Sequence, residues 1–201
     1  MKRIIVCCDG TWNKPDQVDR GKPAPTNPAK MAEAVAPRDG HGAVQQVFYE
    51  TGVGTRPGER IRGGAFGVGL SRNILDAYRY LVREYEEGDE LFLFGFSRGA
   101  YTARSLAGLI RNCGVLQPEH VDGVERAYQL YRRRDDASHP TEREATLFRR
   151  TYPYGADPPF ITCLGVWDTV GALGIPIGRL GGVSRQALGL QFHDVELSRF
   201  V

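Results

Sequence analysis

The chain of 201 residues has no long hydrophobic run. Its first apolar stretch, residues 4–8, is too short for a signal-peptide core or a membrane span. Its four cysteines show no C-x-x-C spacing. That gives neither a zinc-site pattern nor a readable disulfide framework, and buried thiols in a reducing cytoplasm are expected. Any export would proceed without a visible N-terminal signal. Neither sign of charge dominates: 26 Lys and Arg face 24 Asp and Glu, for a net +2. A nucleic-acid partner is therefore not expected. The densest basic cluster, residues 132–134, reverses sign at Asp135 and Asp136 and reads as a solvated helix end. Seven glycines fall between residues 51 and 69, but no G-x-x-x-x-G-K-[ST] loop and no G-x-G-x-x-G after a strand accompanies them. There is no internal repeat. Histidine is scarce, with His41, His120, His139 and His193 only.

What is present suits one domain spanning 1–201. A 41% hydrophobic, 10% aromatic composition supports a real core. Residues 3–8 form a continuous apolar run, the pattern of a strand buried on both faces. A helix capped by Thr26 or Asn27, with Pro28 at its start, is expected to reach about residue 36. A strand follows over 44–49, then a long irregular loop over 51–69. Apolar positions Ile74, Leu75, Tyr78, Leu81, Val82 and Tyr85 predict a helix over 70–86. Residues 91–94 read as the central strand. The next helix runs to about 112, with Gly114 as its C-cap. Helices over 119–134 and 141–151 form a cap-like insertion around 115–155. A strand over 160–167 follows. Alternating strands and helices predict an α/β fold with a parallel sheet and helices on both faces.

Gly95-Phe96-Ser97-Arg98-Gly99 fits G-x-S-x-G between the central strand and its helix. In α/β-hydrolases this pattern forms a nucleophile elbow. A sharp turn lifts the serine above the sheet, and strand and helix cross too closely for side chains at the two glycines. The N–H of Arg98 is then an oxyanion donor, and a backbone N–H of Gly10 or Thr11 is the second. Asp9 would orient that loop, or merely organise a turn. Asp168 follows the last strand, so it falls at the same sheet edge and fits the acid of a Ser–Asp–His order. Only His193 follows it. No strand between 169 and 201 delivers that histidine, so the base is either His193 or a residue beyond Val201, with the domain incomplete at its C-terminus. Arg98 and Arg104 have two readings, attraction of an anionic head group or structural ion pairing.

Two other readings are open. A hydrolase-like module without its base would be a silent binding or interaction protein. A metal-dependent phosphatase would use Asp9 and Asp168. The strand-then-Asp9-Gly10-Thr11 pattern lacks the earlier carboxylate such phosphatases need, since position 7 is Cys7.

Five ordered segments carry a resemblance: Cys8-Asp9-Gly10-Thr11-Trp12-Asn13, the Thr26-Asn27 loop, Tyr49-Glu50-Thr51-Gly52-Val53-Gly54, Gly95 through Arg104, and Gly165 through Gly171. Together the chain resembles the uncharacterised α/β-hydrolase family that includes the catalytic domains of type VI secretion phospholipase effectors. The resemblance implies a serine esterase or lipase of lipid or phospholipid esters, with Ser97 as nucleophile and Asp168 as acid, and no cofactor or metal. It also implies contact with a membrane surface and, for an effector, a secretion-system or immunity partner. In that family a histidine-bearing loop follows a stretch like Phe192-His193-Asp194, which is the expected home of the base.

Overall fold

The computed structural model describes residues 1–52, 54, 65–133, 135–154 and 157–169. Five apolar or thiol residues after Arg3 give the first strand, β1 (Arg3–Cys8). It lies inside a four-stranded sheet, so Ile4, Val6 and Cys7 lose all solvent contact. The remaining long strands are β4 (Gln45–Glu50), β5 (Glu90–Phe96) and β6 (Ile161–Trp167), and the order β4-β1-β5-β6 is parallel throughout. A small antiparallel hairpin, β2 (Val18–Asp19) with β3 (Lys22–Pro23), had no signature in the sequence.

Strand alternation splits the layers. Ile4, Val6 and Cys8 of β1, with Leu91 and Leu93 of β5, join one core with Ile74, Ala77, Tyr78, Leu81 and Val82 of α2 (Ala65–Glu84) and Leu106, Leu109 and Ile110 of α3 (Arg98–Cys113). Ile5, Cys7 and Ala29 are buried but stand outside that cluster. They mark the other face, where α1 (Asn27–Ala34) meets β1, β4 and β5. Thr26 caps α1 by accepting from Ala29 N–H, as its position before Pro28 predicted. α2 begins at Ala65, five residues earlier than its apolar face suggested, because glycines there hide the period.

Residues 118–123 form a 3-10 turn rather than the start of a longer helix. α4 (Val124–Arg132) and α5 (Arg143–Thr151) follow. They pack on the far half of α3: Tyr131 lies on Gly108, Cys113 Sγ donates to the Ala127 carbonyl, and Arg149 donates to the Asn112 carbonyl. Gly114 ends α3 at the C-cap position that the sequence indicated, with φ 73° and ψ −164°.

Connectivity fixes where a ligand belongs. The chain leaves β1 for β4 on one side, across the face carrying α1. It then returns over the other face through α2 to β5, on the opposite side of β1. The direction of winding reverses between β1 and β5, and open α/β sheets hold ligands in the crevice at the C-terminal ends of such a pair. Those ends are Cys8 and Phe96, so the crevice opens between the 9–13 loop and Ser97.

Candidate active site

Ser97 sits at the one abrupt backbone reversal between β5 and α3. Its φ is 55° and its ψ −116°, a conformation a non-glycine residue adopts only under constraint. Three contacts impose it. Ser97 N–H donates to the Trp167 carbonyl of β6 at 2.9 Å. A Cβ on Gly95 would lie 2.6 Å from Ala100 Cα, inside the first turn of α3. A Cβ on Gly99 would strike the Cys8 carbonyl and lie 2.6 Å from the Asp9 carbonyl oxygen. The flanking glycines thus let α3 press on both its own strand and the end of β1. Helix N–H groups of that first turn have no carbonyl one turn earlier to bond, and they point toward the serine. Arg98, half-buried, has its guanidinium pKa lowered by burial.

The 9–13 loop is built around a saturated carboxylate. Asp9 is buried. Its Oδ1 accepts from Gly10 N–H at 2.7 Å and from Asn13 Nδ2 at 3.5 Å. Its Oδ2 accepts from Thr26 Oγ1 at 2.7 Å and from the Tyr49 hydroxyl. Burial, then that bond, raise the pKa of Tyr49, so the phenol stays a donor. Asp9 N–H itself bonds the Glu50 carbonyl. The carboxylate therefore serves as the loop's internal anchor, the loop-orienting and turn-organising role that the sequence suggested. The expected role of Gly10 changes, because its N–H is spent on Asp9. Asn13 N–H is likewise used, by the Gly10 carbonyl. Thr11 is different: nothing among the described residues accepts from its N–H, and its Oγ1 is shut off from solvent with no partner.

Two glycines that the sequence reading left without a role hold this loop down. A Cβ on Gly52 would collide with the Gly10 carbonyl, and Gly54, at φ 87°, lies flat against the Trp12 indole. Their signal was G-x-G directly after β4. Trp12 takes φ 63° and remains 59% exposed at the rim.

Asp168 directly follows β6, exposed, with φ 47°. Phe96 pairs with Trp167, so Ser97 and Asp168 leave adjacent parallel strands side by side. His193 lies outside the described residues. The other histidines are elsewhere: the His41 N–H bonds Asp39 Oδ1, the His120 ring meets Tyr152 edge-on, and His139 Nδ1 bonds Thr141 Oγ1. Among the described residues no three His, Cys, Asp or Glu side chains converge to hold a metal ion. Cys7 is fully buried, its thiol pushed up to about 12 by burial and by Asp9.

No solved structure matches this chain. An uncharacterized protein of Saccharomyces cerevisiae, YEL023C, is 29% identical over 199 residues, covering 89% of this chain. The chain spans only 28% of that yeast protein's length. Residues 2–201 match the family described as "T6SS, Phospholipase effector Tle1-like, catalytic domain". With essentially every residue inside that match, the chain belongs to the Tle1-like phospholipase effector catalytic domain family.

Proposed function

We infer that this chain is a serine hydrolase of carboxylic esters, acting on the ester bonds of glycerophospholipids or related lipids through an acyl-enzyme on Ser97. The observation that carries the reading is the left-handed backbone of Ser97, held between two glycines at each of which a Cβ would clash with backbone atoms. In this reading a histidine takes the Ser97 hydroxyl proton as Oγ attacks the acyl carbon. Asp168 fixes that imidazole's tautomer. Within residues 1–201 the candidate base is His193. Arg98 N–H and Thr11 N–H hold the developing oxyanion. The protonated base then releases the alcohol, and water returns the serine by the reverse sequence.

The partner of such a site is a lipid surface. Trp12 and Val18, both 59% exposed, stand on the loop and hairpin that follow β1, with Lys14 and Lys22 nearby in sequence. An amphipathic ring flanked by cations suits a headgroup boundary. Among the described residues no helix is long and apolar enough to cross a membrane. An effector role, with a secretion-system or immunity partner, rests on family membership. We take 1–201 as one hydrolase-like domain, with 115–155 as a helical insertion that buttresses the flank of α3.

A fluorophosphonate probe applied to the full-length protein tests the reading. Labelling is expected in the parent and lost in Ser97→Ala. Equal labelling of both would refute the nucleophile. An unlabelled parent with intact fold would favour the alternative of a silent binding module, which the engagement of the His120 and His139 rings elsewhere makes the second reading.

A further inference from the structure

We propose that the side-chain hydroxyl of Thr11 is itself an oxyanion donor, so that Thr11 supplies two donors and Arg98 N–H a third; the inference rests on Ser97 being the nucleophile. Donor accounting leads to it. In the 9–13 loop the N–H groups of Gly10 and Asn13 are bonded within the loop, and that of Asp9 to the Glu50 carbonyl of β4. Thr11 N–H has no acceptor among the described residues, and Thr11 Oγ1 is shielded from solvent without a partner. Folded proteins rarely leave a buried hydroxyl unpaired, and such an exception asks for a ligand or a function.

The position of Thr11 says which ligand. Gly10, just before it, is packed against the ring and carbonyl of Phe96, the residue preceding Ser97. The carbonyls of Cys8 and Asp9 rest on Gly99, two residues after Ser97. The loop is therefore wedged across the turn that carries the nucleophile. Trp12, just after, turns outward and is pinned on Gly54. Thr11 is the residue between the inward glycine and the outward tryptophan. Rotation about its Cα–Cβ bond re-aims Oγ1 among three staggered positions without moving the backbone. When the Ser97 Oγ–carbon bond forms, the carbonyl π pair moves to oxygen. That oxyanion accepts from Thr11 N–H, Thr11 Oγ1–H and Arg98 N–H. Thr11 transfers no proton, and when the carbonyl re-forms the donors remain as they were.

The test uses the full-length protein, a short-chain p-nitrophenyl ester and thermal denaturation of Thr11→Val, Thr11→Ser and Ser97→Ala. Valine keeps the shape and the N–H but removes the hydroxyl. Thr11→Val is expected to lower kcat about 100-fold at nearly constant KM. Its Tm should be equal or higher, since an unpaired buried hydroxyl has gone. Thr11→Ser should recover most of the lost rate. A Thr11→Val rate within threefold of the parent overturns the inference while leaving Ser97 in place. A fall in Tm that tracks the loss of rate also overturns it, as a structural role. Full turnover by Ser97→Ala, or none by the parent, overturns the nucleophile reading and this inference with it.

Discussion

Replacing Gly99 by alanine isolates the contact on which the crevice depends. The added Cβ would stand 2.5 Å from the Cys8 carbonyl carbon and 2.6 Å from the Asp9 carbonyl oxygen, where ordinary contact begins at 3.4 Å. Both neighbours are backbone atoms at and just after the buried C-terminal end of β1, so no side chain can swing aside. The first turn of α3 has to withdraw by about 1 Å, and overpacking of this kind costs roughly 1–3 kcal/mol, with rigid backbone at the upper end. Alanine's better helix propensity returns at most about 1 kcal/mol. The net loss of about 2 kcal/mol corresponds to a Tm lower by roughly 4–8 °C for a domain of this size. The same displacement separates Ser97 from the 9–13 loop, and a misplacement near 1 Å costs about 100-fold in rate. Gly40→Ala is the control: Gly40 is exposed with open space around its Cα, so that variant should be neutral or slightly stabilised. Thermal denaturation and ester hydrolysis, measured side by side, decide the matter. A Gly99→Ala protein that melts within 1 °C of the parent and keeps its rate would refute the claim that this approach organises the site.

Two further outcomes can be measured without knowing the substrate. Asp89 is buried at the opposite end of the sheet: burial pushes its pKa up, but bonds from the Lys2 ammonium at 2.6 Å, Lys2 N–H at 2.7 Å and Glu86 N–H outweigh that and leave it below the ordinary value. A depressed carboxylate stabilises the fold above its unfolded pKa of about 3.9, and that stability is lost as pH falls through the folded value. Asp89→Asn should therefore be about 1–3 kcal/mol less stable at pH 7, with the gap to the parent closing at and below about pH 4 in urea titrations; a constant gap across that range would sink the assignment. Cys7, Cys8 and Cys113 are buried with raised pKa values, whereas Cys163 is half-buried, so brief iodoacetamide treatment of the native protein should modify Cys163 well ahead of the other three, and peptide mapping that finds Cys7 alkylated first would contradict the packing of β1.

What the sequence disclosed followed from how local each signal was. The buried runs of β1 and β5, the apolar face of α2, the Thr26 cap and the Gly114 terminus all depend on neighbours a few residues away, and each was readable. The β5–α3 turn was readable for the same reason, since Gly95, Ser97 and Gly99 carry its geometry within five residues. The Asp9 hub was not. Its donors come from Gly10, Asn13, Thr26 and Tyr49, up to 40 residues distant, and only the pairing of β1 with β4 brings Tyr49 beside it. Gly10 illustrates the cost: it was one of two candidates, with Thr11, for the second oxyanion donor, and the anchor that consumes its N–H became visible only with the fold. The seating of Gly52 under the same loop is equally long-range.

The strand order explains why these distant residues had to converge. β1 is flanked by β4 on one side and β5 on the other, so the loop leaving β1 meets the exits of both. From β4 it receives Tyr49, Gly52 and Gly54, which hold it down. Toward β5 it presents Gly10 and the Asp9 carbonyl, which meet Phe96 and Gly99. A buried carboxylate with four donors is then the economical way to stop a loop of small residues from moving between those two neighbours. Rigidity there matters because hydrogen-bond donors stabilise a transient charge only when they need no rearrangement to meet it. With Asp9, Gly10 and Asn13 fully committed to holding the loop still, Thr11 is the residue left with donors to offer, in a loop packed against the turn of Ser97, whose backbone the sheet and helix have forced into the left-handed region.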